Sequence, residues 1–376
     1  MKRLSSLLVL LCAASFALAQ NPGSKSLLHT HTGRTFEQGR LEVRTNLNFF
    51  TKLGEFIGQN KPTGFSAANY WMVANNVLIT YGAFDNVDLT VAARIYQDTH
   101  YSNEYNIPDD IFVTLKAGSF DFANRRMYGA GMINLRFGTG EKHNYPFVEY
   151  ASGAVEYGLM AAFSYYLDPY LPERSFSSHL NLGWYNHNDA SQVVYDERNV
   201  KQEATLNASE LQFGLGFVYP VGALSFMLEL NGINYIEQPD TMVYSRENYI
   251  YVTPSIRYKP YRWVSMDLGV DVRISSNVQE TKGVPLFTSS LDLPNYASWK
   301  AHLGLNFTIL PLGPSELTPE EMDRDRFNKR IDFFQNIIEE RERVESVQEE
   351  LDRLRREREE AEKELEELKQ VLEEEG

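Results

Sequence analysis

Few residues in this chain have the types and spacing to do chemistry. His179, His187 and His302 are the candidates for proton transfer, and Asn186, Asn188 and Asp189 flank His187. A histidine beside an acid or a hydroxyl is what general-base or nucleophilic work needs. Serine, asparagine and aspartate crowd the same stretches, so this adjacency has no specificity and no enzyme is expected. His29-x-His31 offers two imidazoles to a metal, but no third ligand stands near them in sequence, so the pair reads as tail and no metal is expected. Asp109, Asp110, Asp189, Asp196 and Glu197 could bind calcium and read instead as solvated loop charge. No glycine-rich phosphate loop opens a helix, and no cofactor is expected.

A second set is more informative. Glu42, Glu156, Glu229, Asp267 and Asp271 oppose Arg44, Arg94, Lys116, Arg136, Arg257, Arg273 and Lys300. Each stands at alternate positions of an otherwise apolar stretch. Two readings stay open: the charges line water, or they pair into a ladder that fills a narrow interior.

The elements that must position them are strands. In residues 299–309, Trp299, Ala301, Leu303, Leu305, Phe307 and Ile309 alternate with Lys300, His302, Gly304, Asn306 and Thr308. Side chains on a strand switch faces at each step, so this stretch has one apolar and one polar face. The pattern recurs, predicting twelve strands near 41–50, 70–82, 88–97, 110–118, 127–138, 154–167, 175–187, 208–219, 223–236, 248–259, 263–275 and 298–310. Pro254 lies within one of them and predicts a bulge, because proline lacks a ladder donor.

A leader precedes the strands. Lys2 and Arg3 give a basic start, an apolar run follows, and Ala17-Leu18-Ala19 forms an A-x-A cleavage site, so 1–19 reads as a signal peptide. Cys12, the only cysteine, lies inside it. The mature chain therefore has no thiol for disulfides or metal sites. No later run is long and apolar enough to span a membrane as a helix. The net charge is −15, and from 316 to 376 there are 23 acidic against 12 basic residues. The remainder, 28 against 24, is nearly balanced, and no basic face suggests nucleic acid.

Connections alternate strictly between short and long. Five are tight and six are long and polar, which fits twelve antiparallel strands with both ends on one side. Three features turn the apolar face toward lipid rather than a core. Strands of ten or more residues can cross a bilayer when tilted. Tyr219, Tyr258, Tyr261 and Trp263 gather near the short turns, and Trp71, Trp184, Tyr296 and Trp299 near the long loops, as interfacial belts do. Finally, about eight strands already make an interior that side chains can fill, so twelve around an apolar core would leave voids.

The end of the chain is helical. Thr318-Pro319-Glu320-Glu321 carries a cap, a proline at the first turn and a glutamate three residues after the cap. Val344, Val347, Leu351, Leu354, Arg358, Ala361, Leu365, Leu368 and Leu372 then step by threes and fours, a coiled-coil seam.

At this point the chain resembles bacterial outer-membrane β-barrel proteins of the porin-like transporter type. His302, Gly304, Phe307 and Ile309 are spaced as in the terminal-strand signal that the family's assembly machinery recognises. Residues 34–43 resemble the entry to a first strand. The departure is the helix that follows the terminal strand. The resemblance implies an all-β transmembrane antiparallel barrel at 40–310, embedded in outer-membrane lipid. A periplasmic segment at 20–39 precedes it, and a linker at 311–317 and a periplasmic coiled-coil helix at 318–376 follow. The function it implies is passive diffusion of small polar solutes. The helix would serve self-association, or tethering to a periplasmic or cell-wall partner. A non-conducting anchor is the alternative.

Overall fold

A computed structural model describes residues 23–54, 68–99, 109–139, 147–197, 200–276, 278, 280–281, 295–311 and 319–374. The expected signal peptide lies outside them. The strands are β1 (Leu41–Gly54), β2 (Ala68–Phe84), β3 (Val87–Thr99), β4 (Asp109–Phe122), β5 (Met127–Phe137), β6 (Val155–Tyr166), β7 (Ser177–Asn186), β8 (Val193–Glu197), β9 (Val200–Glu203), β10 (Ser209–Val221), β11 (Leu224–Glu237), β12 (Tyr249–Tyr261), β13 (Val264–Arg273) and β14 (Trp299–Leu310). All but β8 and β9 form a closed antiparallel barrel of twelve strands, with β1 paired to β14. Every predicted strand is present. The hairpin β8–β9, inside the long connection after β7, was not foreseen.

The twofold alternation decides the faces. Along β13, Met266, Leu268, Val270 and Val272 are exposed, while Asp267, Gly269 and Asp271 between them are buried. Leu268 is 60% exposed and Asp271 1%. A soluble protein would reverse this arrangement. Here the outer surface is apolar strand after strand, which suits hydrocarbon, and the wet side chains are enclosed. The interior arginines and lysines would each cost about 2–4 kcal/mol if turned to the middle of a bilayer, and the carboxylates somewhat less.

Two local expectations are corrected. The ladder passes Pro254 without a bulge: Val252 faces Val272 and Ser255 faces Gly269, in one register. The exposed proline therefore costs a donor without shifting the strand. Tyr296 is 4% exposed and donates to the carbonyl of Ser245 (2.6 Å), so it belongs to the outer mouth rather than to a lipid belt. The belt at the short turns is present: Tyr261 stacks on Trp263, which stacks on Phe307.

The chain divides into two compact units, 1–313 and 314–376. The second holds one helix, α1 (Pro319–Glu374). Its Val344, Val347, Leu351 and Leu354 are all more than half exposed, so that part of the seam is bare. Arg358 pairs with Glu362 along the helix, and Ala361 is exposed. The side chains of Leu365, Leu368 and Leu372 lie outside the described residues.

Candidate functional site

The site is the lumen. All twelve predicted lumen charges are buried or half-buried on inward-facing strand positions. What they surround differs from the expectation. Residues 24–36, expected as a segment preceding the barrel, enter its interior and occupy it. Lys25 and Thr32 close a small hairpin, with Ser26 bridged to His31 and the amide of Leu27 donating to the carbonyl of Thr30 (2.9 Å).

The hairpin is held by polar bonds from the barrel wall. Glu229 on β11 accepts the amides of Leu28 (3.0 Å), His29 (2.9 Å) and Thr30 (2.7 Å) at the hairpin tip. Asn181 on β7 accepts from the amide of His31 (2.6 Å) and donates to its carbonyl (2.7 Å). Ser164 on β6 accepts from Gly33 (2.7 Å), and Asp88 on β3 accepts from Phe36 and from the Ser24 hydroxyl. Arg44, Lys116 and Arg257 donate to the hairpin's carbonyls. Arg257 also grips Asp267 through two bonds, 2.6 and 2.9 Å. A segment with few apolar side chains is thus enclosed with most of its amides bonded, as burial demands.

Apolar packing supplements these bonds. The inner face carries Gly216 and Gly269 where Leu27 and Leu28 press against the wall. A Cβ at either glycine would stand 2.7 and 2.4 Å from those leucines. Glycine there lets the hairpin lie flat against the sheet.

A second network closes the opposite end. Arg136 binds Asp110 through Nε (2.8 Å) and reaches Glu156 (3.4 Å). His187 lies between Glu156 (3.3 Å) and Glu210 (3.6 Å). Burial alone would lower its pKa, but the two carboxylates outweigh that and push it up to about 10, so the ring is cationic. His31, enclosed in the hairpin, is the reverse case. Burial, then Lys116 and Arg44, bring it down to about 3, so it is neutral. Over the mouth, Tyr150 donates to Asp189 (2.7 Å), Phe147 to Asn295 (2.7 Å) and Tyr251 to Ala297 (2.5 Å). These contacts form a lid from the long loops. Asp110 and Asp189 are buried in it, not solvated as expected.

Between hairpin and lid the interior is divided into small chambers. One of about 50 Å³ is lined by Arg136, Glu149, His187 and Glu210, and one of about 40 Å³ by His29, Asn48, Asp271, Lys300 and His302. Beyond the hairpin, toward the short turns, lies a larger cavity of about 210 Å³ lined by Lys25, Arg34, Glu42, Arg44 and Arg257. Arg273 and Lys300 bond the lid, Arg273 to the carbonyl of Tyr296 (3.0 Å) and Lys300 to Glu149 (3.5 Å). The ring of Phe112 lies against Arg94 and Arg136.

The three histidines singled out for catalysis do not converge. His179 bonds Ser164 and Ser177 with its two nitrogens (2.7 and 3.0 Å), His187 serves the lid, and His302 meets Asp271 (2.8 Å). The last pair adds what His29 lacked in sequence, since His29 Nε2 is also 2.8 Å from Asp271. Of the terminal-strand signal, His302 and Gly304 face inward, Ile309 is exposed and Phe307 joins the turn-side aromatic stack. Sequence reasoning missed the hairpin. Its one trace was glycine on the inner face of β10 and β13.

The fold and its wet interior define the class: a closed antiparallel barrel of twelve strands with an apolar outer face and an enclosed polar interior. Among solved structures it is similar to an outer-membrane channel from Pseudomonas putida F1, at 12% identity and TM-score 0.47 over 74% of this chain and 98% of that one. It is also similar to the NanC porin (8%, TM-score 0.43, 71% and 98%) and to the translocator domain of the autotransporter NalP from Neisseria meningitidis (7%, TM-score 0.36, 72% and 89%). No protein-family model matches the chain, and no curated protein matches it in sequence.

Proposed function

We propose that the protein is a porin-like channel of the bacterial outer membrane for small polar solutes, closed by its own N-terminal hairpin. The observation that carries this reading is how the interior is filled. Strand side chains leave a polar space, and a separate segment of the chain occupies it through hydrogen bonds rather than a fused apolar core. Such a filler can leave without dismantling the wall. With the hairpin withdrawn, Arg44, Lys116, Arg257, Glu229, Asp267 and Asp271 would line water and set charge selectivity. Helix α1, with its bare seam, would lie in the periplasm and join copies or reach a partner.

A second reading rests on the chambers of about 50 and 40 Å³, which admit water and no larger solute. A barrel that stays in this state is an anchor. Planar-bilayer recording separates the two. Deleting residues 23–36 should convert rare openings of the full chain into steady steps, and Asp271→Asn should shift their ion selectivity. A deletion variant that inserts as a folded barrel yet passes no current would establish the anchor.

A further inference from the structure

We infer that His29, Asp271 and His302 form a transition-metal site that staples the N-terminal hairpin to the barrel wall. The regulatory consequence rests on the channel reading above; the metal site itself does not.

The ligands come from three places. His29 is on the hairpin, Asp271 on β13 and His302 on β14. The two strands are neighbours, with Gly269 opposite His302, so the wall ligands are close on one inner face. All three are buried, and their ligand atoms lie within 4.8 Å of one another. Asp271 spreads its two oxygens, Oδ1 toward His29 Nε2 and Oδ2 toward His302 Nε2, each at 2.8 Å. The imidazole rings meet edge to face with centroids 4.9 Å apart.

The orientation of His302 points to a cation. Its Nδ1 is 2.5 Å from Asn48 Oδ1, an acceptor, so Nδ1 carries the proton. In the neutral ring Nε2 is then the nitrogen with the lone pair. It faces a carboxylate at 2.8 Å, and it makes no hydrogen bond with it. Two lone pairs meeting in a buried site are unfavourable, so a positive centre belongs between them: a second ring proton, which makes an ion pair with Asp271, or a metal ion that His29 and His302 can share. A divalent ion there would take both, at about 2.0–2.2 Å from each ligand, after the side chains open by roughly half an ångström.

The surroundings suit such an ion. Asn48 orients one imidazole, and the Thr253 hydroxyl donates to Asp271 (2.8 Å), so outer partners fix two of the three ligands. The chamber of about 40 Å³ borders all three and has room for one water in a fourth position. Lys300, 3.8 Å from Asp271, is also shared with Glu149 (3.5 Å). Two imidazoles and a carboxylate favour zinc, cobalt, nickel or copper over magnesium or calcium.

The site spans the hairpin and the wall, so its ion would strengthen the closed state and be released when the hairpin leaves. The test uses the full chain, purified in detergent and stripped with a chelator. It is titrated with Co²⁺ by visible absorption and with Zn²⁺ against a chromogenic chelator. One ion per chain is expected. His29→Ala, which leaves every strand intact, should weaken binding about 100-fold, His302→Ala should do the same, and His187→Ala should leave it unchanged. No coordination spectrum in the unmodified protein, or undiminished binding in His29→Ala, would overturn the site. In bilayers, Zn²⁺ should lower the open fraction of the full chain and not of His29→Ala. A chain that binds one ion through His29 but never conducts supports the site and overturns only the channel.

Discussion

The carboxylate of Glu229 is the point at which the hairpin can be released most cleanly. It accepts three consecutive amides, those of Leu28, His29 and Thr30. In Glu229→Ala all three lose their acceptor inside a closed interior. A buried donor left unsatisfied costs about 1–3 kcal/mol, so the three together cost roughly 3–9 kcal/mol, toward the lower figure if water enters the vacated space. Moving a two-state equilibrium from 1:99 to 99:1 takes about 5.5 kcal/mol, which falls within that range. The substitution should therefore shift the hairpin from docked to undocked. Thiol labelling reads this directly, because Cys12 in the leader is the only cysteine of the chain. A probe cysteine at Leu28 lies against Gly269 and is shielded when the hairpin is docked. Adding Glu229→Ala should raise its labelling rate at least about 100-fold, the factor that corresponds to the smallest estimate. Glu229→Gln, which keeps an acceptor oxygen, should give an intermediate rate. A rise of less than tenfold in Glu229→Ala would refute the claim that these three bonds hold the hairpin.

Other outcomes follow from neighbouring features. Gly33→Ala would bring a Cβ within 2.3 Å of the Tyr128 carbonyl oxygen, which cannot rotate away, so it should loosen docking by about 1–3 kcal/mol and raise labelling of the same probe. His187 has its pKa raised from 6.5 to about 10, so its ion pairs stabilise fully below pH 6.5 and fade as pH rises toward 10. Thermal midpoints should fall across that window in the unmodified chain and stay flatter in His187→Gln; parallel curves would count against the pairing. Leu351→Asp with Leu354→Asp places charge on the bare seam of α1 and should convert an associated species into a monomer in sedimentation, whereas an unchanged profile would exclude the seam as a contact.

The barrel was legible because each strand states its two faces in its own residues. In β13, Met266, Leu268, Val270 and Val272 against Asp267, Gly269 and Asp271 need no partner to be interpreted. The inward direction of Glu229 or Lys116 followed from the same alternation. The hairpin was not legible, for the converse reason. Residues 24–36 have no period, and their meaning lies in partners such as Asn181 and Glu229, 150 and about 200 positions away. His29 looked ligand-poor for that reason: Asp271 and His302 approach it only once the barrel closes. The glycines at 216 and 269 were visible as inward positions without a side chain, but an empty inner face does not say what occupies it. Pro254 misled because a missing donor does not by itself force an extra residue into the strand.

The bond from His29 to Asp271 spans 242 positions, and those from the Glu229 carboxylate to the hairpin tip span about 200. Pairings so distant in sequence form late, because a long stretch of chain must first be closed, and the β1–β14 pairing, which joins Phe49 to Ala301, is of the same range. Seating of the hairpin and closure of the wall therefore belong to the same late stage of assembly. A wall that closed ahead of its hairpin would stand unobstructed for a time, and anything that slows docking would prolong that interval.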